Sequence, residues 1–201
     1  MERKFKLTRV TKETKVFINL NIDGKLSNNS LVSTSIGFMD HMLAVLAMYS
    51  GMDLVIKASG DTHIDDHHLL EDIGITLGQT LKEALGKKIG IMRYGFFMLP
   101  MDEALSYVSL DLSGRFFLDY AVTLFEYGVN IKFNYNLMYD FFYAFAYNAG
   151  MNLHIRTLSG RSNHHIMESI FKALGLSLKQ ATTFYQWKTN NNLPSTKGIL
   201  S

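Results

Sequence analysis

Cysteine is absent from the 201 residues of this chain, which excludes disulfide bonds and thiolate metal ligands. Any metal site must therefore be built from nitrogen and oxygen atoms. The formal net charge is only +2, too small to argue for a nucleic acid or a membrane surface as partner. No run of about 18 apolar residues occurs, and the opening Met1-Glu2-Arg3-Lys4 is followed by no apolar block like that of a signal peptide. We therefore expect a cytoplasmic protein that binds neither nucleic acid nor membranes.

The sequence does contain a repeated His-His-x-x-Glu motif. It runs from His67 to Glu71 and returns 97 residues later, from His164 to Glu168. Each copy opens a stretch with helical apolar periodicity, so its first histidine and its glutamate share one helix face and can hold one metal ion. The second histidine, His68 or His165, points about 100° further around the axis. Two such helices facing one another predict two metal sites, each with a His/Glu pair from one helix and the spare histidine from the other.

The metal interpretation depends on the recurrence, because a single His-His pair near a helix start is usually a cap or a solvated feature. Two other histidines can complete the sites: His41 begins an apolar helix and His154 lies on a predicted strand. Either alone would also fit a buried, hydrogen-bonded imidazole. Adding both gives each ion three nitrogens and one carboxylate, a set that suits an octahedral ion with two open positions. Manganese, iron, cobalt and zinc all accept such ligands.

Several nearby side chains are candidates for supporting roles. Asp40, Asp65 and Asp66 are placed to orient ligand imidazoles through the other ring nitrogen, although Asp65 is equally a candidate helix cap. We expect His63 to be a supporting or merely structural residue.

The duplication extends beyond the motif and predicts the fold. Residues 71–84 align with residues 168–181 at the same offset, and each half reads as strands, helix, strand, helix. With 47% hydrophobic and 19% charged residues the chain is an ordinary globular protein, yet neither half could bury its apolar helices alone. We predict one compact α+β unit with helices packed between two mixed β-sheets, residues 1–95 forming the first repeat and residues 96–201 the second.

Three element boundaries are also predicted from local patterns. Apolar alternation predicts two strands between Phe5 and Ile22, broken near residues 11–14. The first motif helix should run to about Leu85, because Gly86 follows it. A second aromatic-rich helix is expected at about residues 134–147.

Blocks along almost the whole chain resemble the imidazoleglycerol-phosphate dehydratase family, in the family's order. They are Thr11–Thr14, Gly37–Leu43, Asp61–Asp72, Arg93–Gly95, Pro100–Leu105, Asp111–Arg115, Leu153–Ile155, His164–Glu168, Phe171–Ala173 and Pro194–Gly198. The resemblance implies a hydro-lyase of histidine biosynthesis that converts imidazole glycerol phosphate into imidazole acetol phosphate and water. It also implies a fold of two halves like ribosomal protein S5 domain 2.

The same resemblance implies two Mn²⁺ ions per active site. It gives one ion to His41, His68, His164 and Glu168, and the other to His67, Glu71, His154 and His165. This division agrees with the helix geometry, which separates the members of each His-His pair. It further implies that neighbouring subunits share ligands, and that metal drives trimers into a 24-subunit homo-oligomer.

For the substrate, the resemblance implies phosphate contacts from a set of cations and hydroxyls, namely Arg93, Arg115, Ser195, Thr196 and Lys197. It implies substrate contact and acid/base work for Glu13, with Glu71 and Glu168 as further catalytic carboxylates. Taken singly, the cations fit solvated surface charges and Glu13 fits an exposed loop carboxylate. The chain departs from the family pattern at Ser35, where glycine is common, and in the run before Gly128, where an arginine is usual.

The reaction must remove a carbon-bound proton that is not adjacent to a carbonyl. Our hypothesis is that the substrate binds metal as an imidazolate and expels its hydroxyl through a diazafulvene-like intermediate, while Glu13 exchanges protons with the substrate carbon. A dinuclear metallohydrolase is an alternative, and it would act on phosphate esters or amides. A non-catalytic metal-storage protein is another, and it would not need Arg93, Arg115 or Lys197.

Overall fold

The computed structural model describes residues 2–24, 30–125, 133–185 and 193–195. Within these ranges the order strand, strand, strand, helix, strand, helix occurs twice. The first series is β1 (Lys4–Val10), β2 (Thr14–Asn21), β3 (Leu31–Ser33), α1 (Gly37–Ser50), β4 (Asp53–Gly60) and α2 (His67–Leu85). The second is β5 (Tyr94–Met101), β6 (Ala104–Asp111), β7 (Phe117–Ala121), α3 (Met138–Ala149), β8 (Asn152–Ser159) and α4 (Asn163–Thr182).

The strands form two four-stranded sheets with the same topology, β1-β2-β4-β3 and β5-β6-β8-β7. In each sheet three neighbouring strands are antiparallel and the last pair, β3–β4 or β7–β8, is parallel. The α+β class with duplicated halves like ribosomal protein S5 domain 2, and two mixed sheets, is therefore confirmed. Because β5 begins at Tyr94, the predicted repeat boundary between residues 95 and 96 lies inside this strand.

Each sheet buries one face, because buried and more exposed side chains alternate along its central strands. In β2, Val16, Ile18 and Leu20 point inward and are almost fully buried, as the two-residue period of a strand requires. The inward faces meet a helical layer whose largest buried side chains include Phe141 and Phe171. The core therefore lies between the sheets, and both motif helices are packed against it.

The helices pair across the two halves. Helix α2 packs against α3, and α4 packs against α1. Glycine allows both close approaches: a Cβ on Gly78 would lie 2.5 Å from the carbonyl oxygen of Phe145, and one on Gly175 would lie 2.8 Å from Cβ of Tyr49. The two glycines are 97 residues apart, so the duplication repeats the packing device. The motif helices therefore face other helices within one chain, not each other.

The predicted element boundaries agree with the structure in two cases and shift in the third. Strands β1 and β2 are separated at residues 11–13, and α2 ends at Leu85 before Gly86. The aromatic-rich helix begins at Met138, four residues later than expected, after a short 3₁₀ turn at Tyr135–Leu137. Among the described residues, none of the helices combines the length and the hydropathy needed to cross a membrane.

Candidate metal centre and active site

Three predicted ligands converge where α1 meets α4. The Nε2 atoms of His41 and His164 lie 3.4 Å and 3.3 Å from Oε2 of Glu168. The two imidazole rings are stacked, with centroids 5.5 Å apart and planes inclined by 19°. His164 and Glu168 are one helical turn apart, as the i, i+4 spacing predicted, and packing of α1 on α4 brings in His41. One chain thus presents two imidazole nitrogens and a carboxylate oxygen to a common point.

The carboxylate of this cluster is held in the ionised form that a metal ligand requires. Glu168 lies largely buried at the base of the cluster, and Nζ of Lys172, one turn further along α4, is 2.9 Å from its Oε1. Burial acts to raise the pKa of Glu168, but the hydrogen bonds from Lys172 and His41 outweigh it, and the net shift is downward.

A second cluster forms at the start of α2. Nδ1 of His68 lies 3.1 Å from Oδ2 of Asp61 and 3.7 Å from Oε2 of Glu13. The hydrogen bond to Asp61, followed by the charge of Glu13, raises the pKa of His68 above its usual value. The carboxyl of Asp61 has a lowered pKa for the same reason, its hydrogen bond with His68. Glu13 keeps an exposed side chain beside this imidazole.

The hairpin that carries Glu13 is fixed to the motif helix. The Thr11 hydroxyl accepts hydrogen bonds from the backbone N–H groups of Glu13 and Thr14, which shapes the turn between β1 and β2. The Thr14 hydroxyl donates to the buried carboxylate of Asp72 on α2, and Nε of Arg9 donates to the same carboxylate over 2.7 Å. The position of Glu13 relative to the motif histidines is therefore set by a buried polar network.

A third cluster joins the turn between β5 and β6 to the start of α4. Nδ1 of His165 lies 2.8 Å from Oε2 of Glu103, while Oδ2 of Asp102 is 3.8 Å from Nε2 of the same ring. The Glu103 carboxylate also accepts from the backbone N–H groups of Arg161 and Ser162. These hydrogen bonds, and above all the one with His165, lower the pKa of Glu103 to about 2.

The remaining predicted ligands do not converge within one chain. Nδ1 of His67 faces Oδ2 of Asp140 at 3.5 Å, and Nδ1 of His154 faces Oδ2 of Asp119 at 3.4 Å. Glu71 is exposed and belongs to none of the three clusters found among the described residues. The structure thus brings together three of the four ligands predicted for one ion, and it leaves the second set apart.

Sequence reasoning missed the carboxylates that face the imidazoles of the predicted ligands. Four such acids approach an Nδ1 atom, namely Asp61, Glu103, Asp119 and Asp140. An acid at this nitrogen fixes the tautomer that leaves Nε2 free to bind an ion. Only Asp61, close before the first motif, carried a local signal.

Of the acids predicted to orient imidazoles, Asp40 and Asp65 make other contacts. Asp40 accepts from the backbone and hydroxyl of Thr34, over 2.6 Å and 2.7 Å, so within one chain its carboxylate is bound to Thr34. Asp65 accepts from the backbone N–H of His67, the first residue of α2, although the N-cap position itself is taken by Asp66. Asp66 makes no capping bond with its side chain, and burial raises its pKa. His63 is exposed in the loop before α2.

Among the predicted phosphate ligands, Arg93 is the most firmly positioned. Its Nε and Nη2 donate to the two carboxylate oxygens of Asp111 over 2.6 Å and 2.9 Å, and its Nη1 donates to the carbonyl oxygen of Pro194 over 2.9 Å. A guanidinium has five N–H donors, so one on Nη1 and one on Nη2 remain for a second bidentate partner. Arg115 is exposed, and Ser195 follows the carbonyl that Arg93 holds. Thr196 and Lys197 lie outside the described residues.

A cavity of about 720 Å³ opens beside the first cluster. Its lining includes His164 and Asn163 at the start of α4, Phe38 on α1, and Asp66 and Tyr135. This volume lies within the range of small-molecule sites. Ser35, one of the two departures from the family pattern, also lines the cavity. Its φ is 66°, in the left-handed region that glycine adopts with the least strain. The other departure, before Gly128, falls outside the described residues.

Comparison with known proteins identifies the family of this chain. Residues 34–178 match the family "Imidazoleglycerol-phosphate dehydratase". The enzyme of that name from Endomicrobium trichonymphae is 58% identical over 199 residues, covering 99% of each chain, and the one from Desulforamulus reducens is 49% identical over 200 residues, covering 100% of each.

Solved structures of this family have the same fold. The crystal structure of imidazoleglycerol-phosphate dehydratase from Staphylococcus aureus gives a TM-score of 0.80 at 37% identity, covering 90% of this chain and 99% of that one. The Pyrococcus furiosus enzyme, solved in complex with (S)-C348, gives 0.80 at 36% identity, covering 96% and 100%. The chain therefore belongs to the imidazoleglycerol-phosphate dehydratase family, lyases of histidine biosynthesis.

Proposed function

We propose that this protein dehydrates imidazole glycerol phosphate to imidazole acetol phosphate in a metal-dependent reaction, with two Mn²⁺ ions per active site. The observation that carries the metal dependence is the convergence of His41, His164 and Glu168 on one point. The donor set fits a hard or borderline divalent cation, since it offers only imidazole nitrogen and carboxylate oxygen. We assign one ion to His41, His68, His164 and Glu168, and the other to His67, Glu71, His154 and His165.

The bound ions would supply Lewis-acid stabilisation of negative charge on the substrate's imidazole ring. Loss of the ring N–H proton and of the hydroxyl on the carbon next to the ring, together as water, gives a diazafulvene-like intermediate. Loss of a proton from the following carbon, with return of a proton to the ring nitrogen, gives the enol, which becomes the ketone. Glu13 is suited to this proton transfer because its exposed carboxylate projects beside His68 from a rigid turn. Its place 3.7 Å from that ligand would put it within reach of a substrate held at the same imidazole.

Phosphate recognition is assigned to Arg93 and Arg115, with hydroxyl donors at Ser195 and Thr196 and a cation at Lys197. Asp111 and Pro194 hold the Arg93 guanidinium so that an Nη1/Nη2 pair of donors remains for the phosphate. The hydrogen bond to Pro194 also ties Arg93 to the segment that carries Ser195.

We infer that subunits share ligands in a homo-oligomer, as expected for trimers assembled into a 24-mer. Two observations support this. Within one chain, neither His68 nor any member of the second ligand set belongs to the first cluster. In addition, His154 shares the outward face of the second sheet with exposed Phe117. Strand β5 of the same sheet, separated from β8 by β6, exposes Tyr94, Phe96 and Met98. An apolar patch around a ligand fits a surface covered by another copy.

The test is an activity assay on the purified protein after removal of metal with a chelator. Addition of Mn²⁺ and imidazole glycerol phosphate should yield imidazole acetol phosphate, detected as its enol or ketone, and the stripped protein should be inactive. His164→Ala should abolish the Mn²⁺ response. A metal-independent turnover would contradict the proposal. Hydrolysis of a phosphate ester without dehydration would instead support the metallohydrolase, which the family relationship disfavours.

A further inference from the structure

The two hairpins at the site are copies related by a constant offset of 90 residues. Lys4 pairs with Asn21 between β1 and β2, and Tyr94 pairs with Asp111 between β5 and β6. The correspondence holds along both ladders up to the turns. It places Glu103 at the position that Glu13 occupies in the first hairpin.

The histidines beside these two glutamates are also equivalent, because His165 lies 97 residues after His68 in the duplicated motif. Oε2 of Glu13 is 3.7 Å from Nδ1 of His68, whereas Oε2 of Glu103 is 2.8 Å from Nδ1 of His165. The same pair of side chains therefore occurs twice, but only the second pair forms a hydrogen bond.

A glycine, Gly60 or Gly160, lies at the end of the last strand before each motif, and the residue after this glycine explains the difference. In the first half it is Asp61, which takes the hydrogen bond from His68. In the second half it is Arg161, which cannot accept one, and its backbone N–H donates to Glu103. The side chain of Glu103 is accordingly 28% exposed, compared with 56% for Glu13.

We propose that Glu103 is the duplicated counterpart of Glu13 and acts as a positioning residue for the imidazole of His165. By accepting the Nδ1 proton it fixes the tautomer that leaves Nε2 for a cation, and its bonds to the backbone of residues 161 and 162 tie this imidazole to the start of α4. Asp61 does the same for His68, which leaves Glu13 available to the substrate. This inference rests on the proposed metal function.

The experiment is calorimetric titration of the chelator-stripped full-length protein with Mn²⁺, without substrate. Glu103→Ala should weaken binding of one of the two ions by about 10- to 100-fold. Glu103→Gln should stay within a few-fold of wild type, because its amide oxygen can still accept from Nδ1. Glu83→Ala, which removes an exposed acid from the last turn of α2, is the matched control and should bind as wild type.

Wild-type affinity in Glu103→Ala would overturn the inference, and a lowered melting temperature with that affinity would show that Glu103 only caps α4. Equal losses in the Ala and Gln variants would also overturn it. If Glu103→Ala does not fold, Glu103→Asp keeps the charge but shortens the side chain, so it should also bind Mn²⁺ more weakly. Unchanged Mn²⁺ affinity in Glu103→Asp would overturn the inference as well. A wild-type protein that binds no Mn²⁺ would instead refute the proposed function itself.

Discussion

Both carboxylate oxygens of Asp111 accept hydrogen bonds from the guanidinium of Arg93, and both side chains are largely buried. In the proposed site, this ion pair determines which N–H groups of Arg93 remain for the phosphate. The equivalent arginine of the first half, Arg3, lies 90 residues before Arg93 and is bound by the carboxylate of Asp23, because Asn21 takes the position of Asp111 there.

Asp111→Asn should raise the KM for imidazole glycerol phosphate on the order of tenfold, the size of one charge-assisted hydrogen bond, while the metal content stays the same. The reason is that Arg93 loses its fixed orientation. Steady-state kinetics with metal analysis measure both quantities. Asp23→Asn breaks the ion pair of the equivalent arginine, Arg3, and should leave KM unchanged. Equal KM values in wild type and Asp111→Asn would refute the positioning role.

Glu13→Gln should lower kcat by a factor of about 100 or more, because the amide cannot exchange the substrate proton. The Mn²⁺ content should remain normal, since His68 keeps its hydrogen bond to Asp61. Lys12→Ala, in the same exposed turn, serves as the control and should retain activity. Near-normal turnover in Glu13→Gln would remove this residue from the acid/base role.

Phe96→Glu should disrupt assembly while preserving the subunit fold. Phe96 is 66% exposed on the outward face of β5, so a charge there leaves the core intact but opposes burial against another copy. Light scattering in the presence of Mn²⁺ should show smaller particles. The equivalent position on the first sheet is the exposed Lys6, and Lys6→Glu should assemble normally. Particles of wild-type size from Phe96→Glu would exclude this face as an interface.

Gly78→Ala and Gly175→Ala should each destabilise the protein by about 1–3 kcal/mol, the usual cost of overpacking. In both, the added methyl would meet backbone or Cβ atoms of the helix that packs against it. Gly37→Ala is the control, because its Cβ would meet nothing within 4 Å. Denaturant unfolding of the metal-free variants measures the difference. A free energy of unfolding unchanged by either core substitution would mean that the helices separate at little cost.

Asp23→Asn should change the pH dependence of stability. The hydrogen bond from Arg3 lowers the pKa of Asp23 in the folded state, so the pair stabilises the protein above the unfolded pKa of about 3.9. That contribution is lost as the pH falls through the lower folded pKa. The carboxylate is partly exposed, so we expect a difference of only about 0.2–1 kcal/mol at neutral pH, shrinking in acid. Urea unfolding across this range tests it, and a difference independent of pH would contradict it.

The fold and the pairing of His164 with Glu168 could be predicted because their signals are local or repeated. The i, i+4 spacing of His164 and Glu168 fixes one helix face, and the 97-residue offset reveals the second half. The acids that orient the imidazoles could not be found this way. Glu103 meets His165 from a hairpin 62 residues earlier in the chain, and Asp140 reaches His67 from a helix of the other half. Such contacts follow from tertiary packing, which leaves no periodic trace in a single sequence.

The exchange of helix partners between halves bears on how such a chain could arise. A polypeptide with only one half would leave its motif helix without the helix it packs against, and two copies could satisfy each other only by associating. Joining them in one gene makes that association intramolecular, so it no longer depends on protein concentration. The linked copies were then free to diverge. Glu13 and Glu103, which would have begun as copies of one residue, could therefore acquire different roles.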